Sequence, residues 1–125
     1  MMRRLALILL PLLLFGAFDQ KIFEEALQRA KKEQKIIVLE ATSPQCHYCQ
    51  WMERTTLADP EVQKILDKHF IFLQVDVTKE SLPLGLEWSM TPSFIFISSD
   101  KKVLKKIPGA WKKEDFLTIL REVIR

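Results

Sequence analysis

Two runs rich in β-branched and aromatic residues, Ile36-Ile37-Val38-Leu39 and Phe70-Ile71-Phe72-Leu73-Gln74-Val75-Asp76-Val77, read as strands, and the residues between them carry helical patterning. Strand, helix, strand in that order demands a parallel pair, because a tight turn cannot join parallel strands. A second pair, Ser93–Ile97 and Val103–Ile107, is separated only by the turn residues Ser99-Asp100-Lys101-Lys102, so these two strands run antiparallel. Pro108-Gly109 ends the last strand. Helices are expected over Asp19–Lys32, with Ile22, Phe23, Ala26, Leu27 and Ala30 on one stripe, and over Cys49–Leu57. Asp59-Pro60-Glu61 has the pattern of an N-cap followed by proline at the first helical position, opening a helix through Val62, Ile65 and Leu66. Ser81–Trp88 reads weakly as a short helix, and Lys113–Arg125 as an amphipathic one through Phe116, Leu117, Leu120 and Ile124. Trp51, Met52 and Trp88 are read as packing residues, His69 as a helix-end residue, and Lys101, Lys102, Lys105 and Lys106 as the solvated rim of the hairpin. The pattern is that of one α/β domain, which suits a chain of 125 residues.

Charge and address bound the function further. Nineteen basic residues stand against 16 acidic ones, and two of the basic residues are Arg3 and Arg4. Such balance gives no electrostatic case for a nucleic-acid partner. Met1-Met2-Arg3-Arg4 followed by the uncharged run Leu5–Phe18 has the basic-then-apolar layout of a secretory signal. The run would reach roughly 21 Å as a helix, short of a hydrocarbon core of about 30 Å. Residues 1–17 are therefore read as a signal peptide, with Gly16-Ala17 as the cleavage zone and an uncleaved anchor as the alternative, because Phe15 is bulky for that site. Residues 18–125 then form a domain placed in the periplasm or secreted.

Both cysteines of the chain lie in Ser43-Pro44-Gln45-Cys46-His47-Tyr48-Cys49-Gln50-Trp51. A structural zinc site wants four ligands, and only His47 and His69 accompany the cysteines, so no metal is expected. Covalent haem attachment needs histidine directly after the second cysteine, where Gln50 stands. A purely structural disulfide over two intervening residues closes too small a loop to remove much unfolded-state entropy. The redox reading has a mechanism: Cys46 falls where a strand-following loop meets a helix, and the free amides there favour a thiolate. Cys49, one turn on, lies on the same face and is placed to attack a mixed disulfide. His47, where protonated, adds positive charge beside the nucleophile.

From about Gln34 onward the chain resembles the thioredoxin superfamily. Landmarks beyond Cys-x-x-Cys fall in order: Glu40, six positions before Cys46, resembles the buried acid; Pro44 resembles the proline before the nucleophile in the isomerases; Thr91-Pro92 resembles the cis-proline segment; Gly109 resembles a glycine after the last strand. Leu57-Ala58-Asp59-Pro60-Glu61-Val62, Tyr48 and Thr91 are most similar to small bacterial periplasmic members related to the disulfide isomerases and to sulfur-oxidation-associated thioredoxins. Gln45 stands where thioredoxins carry tryptophan, and Phe72 where they carry lysine.

The resemblance implies a thioredoxin-like fold, a central mixed sheet of about four strands flanked by helices. It implies a thiol–disulfide oxidoreductase that needs no cofactor, with Cys46 and Cys49 as the redox-active disulfide, Cys46 attacking and Cys49 resolving. Glu40 would assist proton transfer as the third catalytic residue. Thr91 and Pro92, with His47 and Tyr48, would bind substrate. The partners implied are protein or small thiol and disulfide substrates and a membrane thiol-reductase as electron donor. With no dimerisation domain ahead of the fold, a monomer is expected. A non-catalytic peptide-binding or chaperone-like module with a permanently closed disulfide is the alternative.

Overall fold

The computed structural model describes residues 20–125; the expected signal segment and its cleavage zone lie outside the described residues. Among the described residues the first element is α1 (Gln20–Glu33), which buries Phe23, Ala26, Leu27 and Ala30 at helical spacing. Ile22, expected on the same stripe, is instead exposed, one step round the helix from the buried face. Gln34 ends α1 in the left-handed region at φ 55°, and the Lys35 amide closes back onto the Ala30 carbonyl at 2.8 Å.

The sheet comprises β1 (Ile36–Thr42), β2 (Phe70–Asp76), β3 (Ser93–Ile97) and β4 (Val103–Pro108), in the spatial order β2-β1-β3-β4. β1 runs parallel to β2 and antiparallel to β3, and β4 is antiparallel to β3. β1 is thus an interior strand, and its residues Ile37 to Ala41 are all buried. It extends three residues beyond the expected Leu39, so Glu40 lies within the ladder and not at a strand end.

Side chains alternate between two packed layers. On one face Ile37, Leu39, Ala41, Ile71, Val75, Ile95 and Ile97 meet α1. On the other, Val38, Phe70, Phe94, Phe96 and Ile107 meet α2 (His47–Arg54), α3 (Pro60–His69) and α4 (Lys113–Ile124). Ring contacts tie the second layer together, Phe70 to Phe96 at 5.8 Å and Phe94 to Phe116 at 5.2 Å between centroids. Full burial of one such ring contributes about 1.5–3 kcal/mol. This is the face onto which Glu40 projects, in step with Val38.

α3 begins as its sequence suggests. Asp59 Oδ1 accepts from the amides of Glu61 and Val62 at 2.9 and 3.3 Å, and Pro60 occupies the first turn. Lys113 Nζ bridges Asp59 and Glu61 at 3.2 and 3.3 Å, clasping the starts of α3 and α4.

Three further expectations need correction. α2 begins at His47 and ends at Arg54, where Cys49 to Leu57 was expected. Its start moves back because Cys46 is itself the cap, and its end because the C-cap Thr55 leaves helical geometry at φ −113° and ψ −86°. Thr55 Oγ1 donates to the Trp51 carbonyl at 2.7 Å, and buried Thr56 donates to the Trp111 carbonyl at 2.6 Å. The expected Ser81–Trp88 helix is a single 3-10 turn, Pro83–Gly85, since Leu84 and Gly85 both have positive φ, 60° and 65°. Trp88, expected to pack, is exposed beyond that turn.

Candidate active site

The site is assembled where β1 ends. After Thr42 the chain turns through Ser43-Pro44-Gln45, the Cys46 amide donating to the Ser43 carbonyl at 3.3 Å and Gln50 Nε2 to the Pro44 carbonyl at 3.3 Å. Cys46 is the N-cap of α2, extended at φ −92° and ψ 107°. Its sulfur accepts the backbone N–H of Cys49 at 3.1 Å. The two cysteines form a disulfide with their Cα atoms 5.2 Å apart. Their exposure is unequal: Cys46 is half-buried at the surface, whereas Cys49 is 1% exposed. An incoming sulfur has access to Cys46, and Cys49 waits beneath it.

The Thr91–Pro92 segment closes over the disulfide from the start of β3. Its peptide bond is cis. The Thr91 carbonyl oxygen lies 3.4 Å from Cys46 Sγ, and the Thr91 and Ser43 hydroxyl oxygens lie 3.5 Å apart. Two hydrogen bonds hold the segment: the Gly109 amide donates to the Pro92 carbonyl at 2.8 Å, and Ser93 Oγ donates to the Met90 carbonyl at 2.6 Å. Gly109 itself has φ 89°, in the region that favours glycine.

Glu40 is fully buried, and neither carboxylate oxygen has a hydrogen-bond partner. Desolvation, reinforced by the negative charge of Glu53, raises its pKa to about 7. The pull of the Gln74 amide opposes this only in part, because that amide donates to Glu53 Oε1 at 3.2 Å. Glu53 shares a groove of about 320 Å³ with Thr42, Ser43, Pro44, Cys49, Gln50 and Asp76. A carboxyl poised between its two forms near neutrality is suited to accepting and returning a proton.

The fold therefore gathers Cys46, Cys49, Thr91 and Pro92 at one point, with Glu40 buried in the layer beneath α2. His47 and Tyr48 are exposed and line a separate, largely apolar groove of about 390 Å³ with Trp51, Ala110 and Lys112. Among the described residues no group of three or more His, Cys, Asp or Glu side chains is arranged to hold a metal ion. Sequence reasoning passed over Glu53 and Gln74. Glu53 had one faint signal, lying four residues after Cys49 on the same helix face; Gln74 had none, since its place opposite Glu40 is set by the β1–β2 register.

A mixed four-stranded sheet with helices on both faces and a Cys-x-x-Cys disulfide capping the first helix after a central strand defines the thioredoxin-like class. A model of the thioredoxin-like domain matches residues 23–124, and the chain belongs to this family. Among solved structures it is similar to a thioredoxin from Thermus thermophilus, with 28% identity, a TM-score of 0.67, and coverage of 81% of this chain and 82% of that one. It is also similar to the reduced C-terminal domain of DsbD from Neisseria meningitidis, with 25% identity, a TM-score of 0.65, and coverage of 86% and 97%. Among curated proteins, spermatogenesis-associated protein 20 of Mus musculus is 38% identical over 53 residues, 42% of this chain and 7% of that protein. An uncharacterised protein of Caenorhabditis elegans is 36% identical over 95 residues, 76% of this chain and 12% of that protein. The chain thus spans only a small part of the curated relatives it matches. Fold, family and the Cys46–Cys49 pair together support thiol–disulfide oxidoreductase chemistry in general.

Proposed function

We propose that this chain reduces or isomerises protein disulfides in an exported compartment, the periplasm or beyond, by thiol–disulfide exchange through Cys46 and Cys49. The carrying observation is the asymmetry of the pair: an accessible Cys46 sulfur receiving the Cys49 amide at the start of α2, with Cys49 buried behind it. In the reduced protein the Cys46 thiolate attacks a substrate disulfide and one substrate sulfur leaves as thiolate, to be protonated by water. Cys49 then gives its proton to the Glu40 carboxylate and attacks Cys46 Sγ, releasing the second substrate sulfur and closing the disulfide. Two electrons pass from the dithiol to the substrate. In isomerisation Cys49 does not act: the released thiolate attacks a second substrate disulfide, and the thiolate freed there attacks the substrate sulfur held by Cys46, releasing the Cys46 thiolate with no net transfer of electrons.

Substrate lies as an extended strand against Thr91 and Pro92, with His47 and Tyr48 flanking it. The Thr91 carbonyl beside Cys46 Sγ supports this docking. Because each reductive turn consumes the dithiol, the protein needs a donor, for which a membrane thiol-reductase has suitable chemistry. The basic residues Arg3 and Arg4 followed by Leu5–Phe18 support export. The protein acts as a monomer.

The deciding experiment is equilibration with glutathione buffers. A working pair is expected at about −270 to −180 mV, whereas a potential below about −300 mV means a closed structural bridge. The latter result would replace this reading with a non-catalytic peptide-binding module.

A further inference from the structure

Glu40 and Gln74 face each other across the β1–β2 ladder, in register and on the side that carries α2. A buried carboxyl opposite an amide would ordinarily take a hydrogen bond from it, since an unpartnered polar group in the interior is costly. Here the amide lies near enough to lower the Glu40 pKa in part, yet it completes its hydrogen bond elsewhere. Gln74 Nε2 donates to Glu53 Oε1 on α2, and both Glu40 oxygens are left without partners. The Gln74–Glu53 bond is exposed, so water competes for it and little is lost when it breaks. A buried carboxylate that has just lost its proton has far more to gain from the same donor. The charged and polar groups that act on Glu40 are Glu53 from α2 and Gln74 from β2, with apolar Phe94 opposite it on β3; Cys49 and Asp76 line the adjoining groove with Glu53.

We propose that Gln74 is a positioning residue for proton handling at Glu40: Glu53 holds its amide aside while Glu40 is protonated, and the amide crosses to Glu40 when that carboxyl ionises. The proton Glu40 takes from the Cys49 thiol would then be lost to water as the amide returns to stabilise the carboxylate. Glu53 has two effects of one sign. Its negative charge opposes ionisation of Glu40, and its grip on Gln74 withholds the neutral donor. The cycle deepens the thiol–disulfide reading and rests on it, but the movement of the amide is a property of the oxidised protein and is measurable without turnover.

The test follows the Glu40 side-chain carboxyl carbon and the Gln74 side-chain amide by NMR through a pH titration of the oxidised protein. In the parent protein the Gln74 amide signals should shift with the same midpoint as Glu40. Gln74→Leu, which fills similar space without a donor, should raise the Glu40 midpoint by about half a unit or more, and Glu53→Ala should lower it by a similar amount. Glu53→Asp should restore the parent midpoint by keeping charge and acceptor. Opposite shifts in the Leu and Ala variants, with a co-titrating amide, carry the proposal. A Gln74 amide that does not sense Glu40, a shift in Glu53→Ala alone, or shifts of one sign in both would overturn it. In the reduced protein the acid limb of the Cys49-dependent release of a mixed disulfide should follow the same midpoints. Failure of that limb with the titration intact would count against the redox reading and leave the amide exchange standing.

Discussion

The backbone amide of Cys49 points at the sulfur of Cys46 from 3.1 Å, and the side chain of Cys49 is buried. One residue therefore both stabilises charge on its partner and is sheltered from solvent itself. After reduction, limited iodoacetamide near neutral pH should label Cys46 well before Cys49, because thiolate character and access coincide at one sulfur. Peptide mapping by mass reads the ratio. Preferential labelling of Cys49 would reverse the assigned roles.

Removing the second thiol separates the two steps. Cys49→Ala should accumulate mixed disulfides on Cys46 when reduced protein meets disulfide-bonded substrates, since the resolving attack is gone. Cys46→Ala should accumulate few, as Cys49 is 1% exposed. Non-reducing gels measure the adducts; equal yields from the two variants would indicate indiscriminate thiol chemistry.

Glu40 makes stability depend on pH in a defined direction. Its pKa is raised in the fold from 4.5 to about 7, so the folded state binds more protons than the unfolded state between those values. Stability from this group is present below pH 4.5, declines as pH rises to about 7 and is lost above it. Glu40→Gln keeps the shape and removes the ionisation. It should therefore gain about 3 kcal/mol over the parent at pH 8 and almost nothing at pH 4. Urea unfolding of both oxidised proteins at the two pH values checks this. An equal difference at both pH values would mean that the carboxylate is not burdened by burial.

Much of this architecture was legible because the elements of the sheet are long, apolar and bounded by plain turn signals. The antiparallel pair of β3 and β4 follows from a four-residue turn, and the start of α3 from Asp59-Pro60. The features that escaped depend on side chains brought together across elements. Neither Glu53 nor Gln74 looks unusual in its own segment; their meaning comes from lying on either side of a carboxyl buried in the ladder. The Ser81–Trp88 stretch misled for a local reason, since two consecutive left-handed residues at Leu84 and Gly85 unwind what composition alone leaves helical. Thr56 helped to shorten α2 by donating to the Trp111 carbonyl, outside the helix pattern.

The clasp between α3 and α4 should be detectable without any assay of function. Asp59 caps two amides and also meets Lys113 at 3.2 Å. Asp59→Ala should cost about 1 kcal/mol, chiefly through the lost cap, whereas Asp59→Asn should keep most of that value because its side-chain oxygen still accepts. Urea midpoints of the oxidised variants decide between them. If Asn behaved like Ala, the ion pair and not the cap would be the stabilising contact.

The direction of electron flow follows from how much thiolate stabilisation the site supplies. A strong oxidant such as DsbA lies about 150 mV above thioredoxin, which is about 7 kcal/mol for a two-electron couple. The hydrogen bond from the Cys49 amide to Cys46 Sγ is one contact, and a hydrogen bond to a charged group contributes about 1.5–3 kcal/mol. Glu40 works the other way, because a buried carboxylate near the pair disfavours further negative charge on sulfur and eases closure of the disulfide. The protein should therefore act mainly as a reductase or isomerase. It should reduce insulin disulfides in the presence of a chemical dithiol and reactivate scrambled ribonuclease, yet oxidise reduced, unfolded ribonuclease slowly. A potential near −120 mV with fast oxidation of that substrate would mean that electrons run in the opposite direction.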